Sequence, residues 1–161
     1  MEKSQYGRRD RLIQEKRHDA YREWEKLPEP TVCRECAALF QGGRWSWDPA
    51  PPGANEKTCP ACQRIADDFP AGFLEIRGMF PVQHWQEIHN LLRNTEKQEK
   101  GEHPMERIMD IAESEEHRLV TTTGIHLARR IGEALKHAYQ GELDLTYGDA
   151  EQSVRVRWVR D

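Results

Sequence analysis

The chain predicts an α+β protein in three parts. A helical arm covers residues 1–30, a four-cysteine ribbon covers 31–66, and a ferredoxin-like βαββαβ(β) domain covers 67–161. Three observations predict this division. All the cysteines fall in two C-x-x-C pairs, Cys33/Cys36 and Cys59/Cys62, a pattern that aims four thiolates at one ion. From Phe73 onward, stretches of period two exchange with stretches of helical period in the order β-α-β-β-α-β-β. Ahead of Pro28 the residues are charged helix formers with a broken apolar stripe.

The arm is read from "YGRRDRLIQEKRHDAYREWEKL", whose Leu12, Ile13, Ala20, Tyr21 and Trp24 bury it only in part. "PEP" at Pro28–Pro30 ends it. Between the cysteine pairs, "DPAPPGANEKT" is turn chemistry without periodicity. "FLEIRGMF" alternates as a strand. "PVQHWQEIHNLLRNTEKQEK" carries Trp85, Ile88, Leu91 and Leu92 at helical spacing. "MERIMDIAE" and "EHRLVTTT" read as two strands around "SE". In "TTGIHLARRIGEALKHAYQG" a threonine N-cap and Gly141 bracket a helix with Leu127, Ala128, Ile131, Leu135 and Ala138 on its apolar face. "ELDLTY" and "SVRVRWVR" close the domain as a hairpin.

Composition bounds the function. Apolar residues make 37% of the 161 and charged residues 32%, which argues for one compact core with solvated helix or linker elsewhere. The net charge of −4 argues against coating nucleic acid by bulk charge, so any RNA contact must come from local basic faces. The N-terminal "MEKSQYGRRDRL" has no apolar core of signal length, and no stretch is long enough to span a bilayer. The expected location is the cytoplasm, where reduced thiols serve as metal ligands rather than disulfides.

Cys33, Cys36, Cys59 and Cys62 are thus expected to bind Zn²⁺. Four sulfurs leave no open position, so the site is structural and replaces a core that so short a ribbon cannot build. A dithiol redox centre would place one pair at the start of a helix in a βαβ unit, and the sequence shows no such context; an iron–sulfur cluster is the other competitor. Trp45 and Trp47 share a strand face, where they either cover the ribbon or stack on bases.

The candidate RNA contacts are Arg8, Arg9 and Arg11 on the arm, Trp45 and Trp47 on the ribbon, Arg129 and Arg130 on the second helix, and Arg77, Arg155 and Arg157 on one sheet face. Thr121–Thr123, with the free N–H groups at that helix start, suit an anion. Solvated faces and cross-strand charge pairs explain the same residues without RNA. Catalysis is not expected: the seven histidines are scattered without an H-x-x-x-H pair, and there is neither a phosphate-cradling loop nor a nucleophile elbow. No small-molecule substrate is predicted.

"CPACQRIADDFPAGFLEIRG" resembles the archaeal and eukaryotic export adaptors of the large ribosomal subunit, the nonsense-mediated-decay-protein-three type. There a last zinc knuckle leads through an aromatic–alanine segment into a strand ending in Arg-Gly. The matching positions are Cys59, Cys62, Phe69, Ala71, Ile76, Arg77 and Gly78. "LVTTTGIHLARRIGEALKHAYQGEL" is similar to that family's later strand-to-helix segment, so the likeness spans residues 33–159. The family's larger C-terminal part has no counterpart, and its transport role is not carried over. The resemblance implies association with ribosomal or other structured RNA. The expected function is a non-catalytic zinc protein that binds RNA in a ribonucleoprotein; the alternative is a protein–protein adaptor without RNA.

Overall fold

The computed structural model describes residues 27–115, 117–148 and 153–161. The expected arm helix, with Arg8, Arg9 and Arg11, lies outside the described residues. Within them the protein is mixed α and β, with two sheets and four helices.

Four three-residue strands make the small sheet: β1 (Thr31–Cys33), β2 (Leu39–Gln41), β3 (Arg44–Ser46) and β4 (Asn55–Lys57). Their order is β3-β2-β1-β4. The first three form an antiparallel meander, and β4 returns parallel to β1. The glycines Gly42 and Gly43, both at positive φ, turn β2 into β3, and their amides donate to the Glu29 carboxylate. Helix α1 (Pro60–Asp67) follows. The sequence reading missed both β4 and α1, because "NEK" lacks β-formers and the helix is eight residues long. The signal for α1 was nevertheless present: Pro60 sits where φ is already helical and no N–H is needed.

The large sheet contains β5 (Gly72–Arg77), β6 (Ile108–Glu113), β7 (His117–Thr122), β8 (Glu142–Tyr147) and β9 (Val154–Val159). Its helices are α2 (Met79–Gln83), α3 (Trp85–Glu102) and α4 (Ile125–Tyr139). The strand expected through Phe80 stops at Arg77. Gly78, at φ 109°, turns the chain into α2, and a Cβ there would collide with the Arg160 carbonyl. The expected single helix over 81–100 is divided at His84 into α2 and α3.

The strand order is β6-β7-β5-β9-β8. β5, α3 and β6 form a split βαβ unit with β7 antiparallel between the two strands. The second half departs from the plain ferredoxin-like order. β9 does not extend an edge; it inserts beside β5, parallel to it, and pushes β8 outward. Hydrophobicity explains the choice. Val154, Val156 and Trp158 of β9 are at most 2% exposed, whereas β8 buries Leu143 and Leu145 only partly. An interior strand needs a fully apolar face, and an edge strand tolerates the charges of Glu142 and Asp144.

All three apolar rows face the helices. Leu74 and Ile76, Val120, and Val154, Val156 and Trp158 pack with Ile88 and Leu92 of α3 and Leu127, Ala128, Ile131 and Leu135 of α4. Alternation sends the intervening residues to the opposite face, which no element covers among the described residues.

Candidate metal centre

Each cysteine is placed by a local backbone device. Cys33 ends β1, and its amide donates to the Ala38 carbonyl across a tight turn that carries Cys36. Ala37 in that turn is left-handed at φ 70°. Cys59 is the N-cap of α1, and its sulfur accepts the Cys62 amide at 3.3 Å. The second pair therefore does open a helix, contrary to the reading of the sequence. It is still not the βαβ context of a dithiol oxidoreductase, because β4 and β5 on either side of α1 belong to different sheets.

The four sulfurs lie within 4.8 Å of one another. Cys36 Sγ and Cys59 Sγ are 3.8 Å apart. A tetrahedron of sulfurs around an ion at about 2.3 Å has edges of about 3.8 Å, so the donor set fits a four-coordinate thiophilic metal. Backbone amides of Glu35 and Cys59 donate to Cys33 Sγ at 3.3 and 3.2 Å. Cys33 and Cys59 are buried; Cys36 and Cys62 are half-buried.

Arg107 was not anticipated. It leads into β6, is 6% exposed, and turns its guanidinium into the cluster. Its Nη1 donates to Cys62 Sγ at 3.2 Å, and its Nη2 to Cys36 Sγ at 3.0 Å and Cys59 Sγ at 3.5 Å. Trp47 lies against it, 5.8 Å from ring centre to guanidinium carbon. The sequence offered no distinct clue: "MERIMDI" carries three charged residues, and nothing in its spacing marks Arg107 as the one that turns to the cysteines.

These contacts shift three of the thiols. The contact with Cys59, aided by Arg107, holds the Cys36 thiol down to about 4, while burial works the other way. The same Cys36 contact, together with burial, pushes Cys59 up, and burial pushes Cys62 up. Burial opposes the charge on Arg107, but the sulfurs of Cys62, Cys59 and Cys36 outweigh it and hold the guanidinium charged. A divalent ion binding here would displace the protons that remain.

The adjacent Glu106 points the other way. One carboxylate oxygen accepts the Leu127 amide at 2.9 Å, and a Cβ on Gly124 would fall on that carboxylate. The helix start proposed for an exogenous anion is thus filled by the chain's own. The threonines are committed as well. Thr122 Oγ1 donates to the Gly124 carbonyl, and Thr123 Oγ1 donates to the Met105 carbonyl while accepting the Arg107 amide. The expected threonine N-cap is replaced by Gly124 with no side-chain cap of its own.

Burial raises the Glu106 carboxyl above its ordinary 4.5, against the Leu127 amide, which lowers it. The folded protein therefore keeps a proton that the unfolded chain releases. Stability from this group is full below pH 4.5 and falls as pH rises towards the folded value. Glu106→Gln should flatten the dependence of urea unfolding on pH above 4.5; an unchanged slope would remove the assignment.

The other candidates separate. β3 ends at Ser46, between Trp45 and Trp47, and the two rings meet different partners. Trp45 packs on Phe40 with ring centres 5.2 Å apart and against the cysteine cluster. Trp47 is 36% exposed and donates its indole N–H to the Lys100 carbonyl at 2.7 Å. Arg77, Arg155 and Arg157 do meet on the open face of the large sheet. There Glu75 accepts from Arg77 at 3.3 Å, pairs with His117 at 3.1 Å and lies 3.7 Å from Arg157. Arg155 lies over Phe73 at 4.4 Å, and Asp144 stands opposite Arg157. This face is charge-matched rather than basic. Arg129 donates to the Tyr147 hydroxyl at 3.1 Å and approaches Glu133, while Arg130 is exposed.

No protein-family model, curated protein or solved structure matches this chain. Among the described residues no helix is long and apolar enough to cross a membrane.

Proposed function

We propose that this is a non-catalytic zinc-binding protein that binds RNA, in the setting of a ribosome or another ribonucleoprotein. Zinc is the ion that suits the four sulfurs, since it prefers tetrahedral thiolate and brings no redox chemistry. When bound, it supplies a closed crosslink with no position for substrate. The residues that hold it also position the surface beside it.

The observation that carries the RNA half is a groove of about 560 Å³ between the cysteine cluster and α3. Arg93, Lys97 and Lys100 line one wall at helical spacing, and the half-exposed Trp47 lines the other. Among the lining residues the one acid is Glu96, and its carboxylate is already taken by Arg93 and by the Ile108 amide. Cations in a row beside an exposed indole suit a phosphate chain with one base stacked. The sheet face and the α4 start are neutralised from within; in the groove Arg93 is paired with Glu96, and Lys97 and Lys100 make the leading contact. The likeness of Cys59–Gly78 to the ribosomal export adaptors supports the same class of partner.

Titration of a structured ribosomal RNA fragment at 50 and 200 mM salt tests this. Affinity should fall steeply with salt, and Lys97→Glu with Lys100→Glu should lower it at least tenfold and reduce the log–log salt slope by about 2. The same affinity and slope in the double variant would reject the groove. Salt-insensitive capture of a protein, with no RNA binding, would favour the adaptor reading.

A further inference from the structure

A buried dipeptide links the cysteine cluster to the large sheet. Glu106 and Arg107 are consecutive and both under 9% exposed, and their side chains meet different partners. Glu106 holds the start of α4 through the Leu127 amide. Arg107 holds the cysteines through three N–H···S contacts. Their backbone is pinned between them. The Arg107 amide donates to Thr123 Oγ1 at 2.9 Å, the Thr123 amide donates to the Arg107 carbonyl at 2.8 Å, and Arg107 Nε donates to the Pro104 carbonyl at 2.9 Å.

We infer that Arg107 is the residue that retains the metal and transmits its presence to the large sheet. The inference rests on the zinc reading above. Four thiolates and a divalent ion carry a charge of about −2. Arg107 removes half of that excess in a site where little water screens it. Its planar fork reaches three sulfurs at once, which an ammonium on a single stem does not. N–H···S bonds also fix the direction of the sulfurs, so ions are lost more slowly when the bonds are present. When the ion leaves, the sulfurs lose their common anchor and Arg107 loses its fixed partners. The next groups to feel the change are Thr123 and Leu127, which meet this dipeptide directly.

Two measurements on the full chain test this. The first is transfer of zinc from the protein to a colorimetric chelator, in wild type, Arg107→Leu and Arg107→Lys. Release should be about ten- to a hundredfold faster in Arg107→Leu and intermediate in Arg107→Lys, which keeps the charge and loses the fork. The cobalt-loaded forms add a spectroscopic readout: loss of N–H···S bonds should shift the sulfur-to-metal charge-transfer band to lower energy. The second measurement is the amide NMR shift of Thr123 and Leu127 on zinc removal, expected in wild type and reduced in Arg107→Leu. If Arg107→Leu does not fold, Arg107→Lys carries the same comparisons. Equal release rates from the zinc-loaded wild type and variants, with identical spectra of their cobalt-loaded forms, would overturn the role of Arg107 and leave the zinc reading intact. A wild-type chain that holds no stoichiometric zinc would overturn both.

Discussion

Cys59→Ser should abolish stoichiometric metal binding and unfold the small sheet while the large sheet stays folded. Cys59 has two roles, and the substitution damages both. Its sulfur is one of four donors within 4.8 Å, and it also caps α1 by accepting the Cys62 amide. A serine oxygen retains a cap but is a poor ligand for a thiophilic ion. The small sheet cannot absorb that loss. Its strands are three residues long, and the buried cluster behind them consists of Cys33, Ala38, Cys59 and Ala61. The cysteines themselves form much of that interior, so a metal held there would stand in for a hydrophobic core. Structural zinc sites of this kind contribute roughly 10 kcal/mol or more at neutral pH, beyond what such short strands can supply. Amide exchange read by mass spectrometry should show protection lost over 31–67 and kept over β5, β7 and β9. The same pattern is expected when wild type is treated with a strong chelator. Retained protection over 31–67 without metal would show that the small sheet folds on its own contacts.

Trp158→Ala should lower stability by about 4 kcal/mol, the usual cost of emptying a buried tryptophan site. Trp158 is fully buried, and its indole donates to the Gln140 carbonyl at 2.6 Å. That bond closes the turn after α4, where Gln140 is left-handed at φ 61° and ends the helix. The ring also meets Phe80 and Tyr139, each at 6.5 Å between centres. One side chain thus ties β9, the end of α4 and α2 together. Truncation leaves a cavity and an unpaired carbonyl. For a chain of this length the melting temperature should drop by roughly 10–15 °C. Metal binding should persist, because the aromatic cluster is remote from the cysteines. Metal loss in Trp158→Ala at a temperature where it remains folded would show that the two regions are coupled more widely than through Glu106 and Arg107.

The two experiments divide the molecule along a line that the sequence already draws. Period-two patterns located β5, β7, β8 and β9, and the helical stripes located α3 and α4, because in each an apolar face must meet one core. The cysteines announced themselves by spacing, since two knuckles can converge whatever lies between them. The break after Arg77 was not foretold, because Gly78 is forced to φ 109° by the Arg160 carbonyl, which comes from the far end of the chain.

Other features depended on which distant segments meet. The place of β9 beside β5 follows from a competition between two strands for the interior, and neither strand carries the outcome alone. Arg77 and Arg157 read as a basic surface until Glu75 is placed between them by pairing across three strands. Thr121–Thr123 and the start of α4 read as an anion site until Glu106 arrives from the far end of β6. Whether Trp45 and Trp47 pack or stay exposed is settled by what each meets, Phe40 for one and the Lys100 carbonyl for the other. Arg107 is the extreme case: its partners lie 45 to 71 residues away in sequence. The sequence by itself determined the alternation and the four-cysteine pattern, because each is imposed by a residue on its own neighbours. Only the tertiary structure decided which charges cancel and which remain exposed, because a charge is neutralised by proximity in space, and spacing along a chain does not measure that.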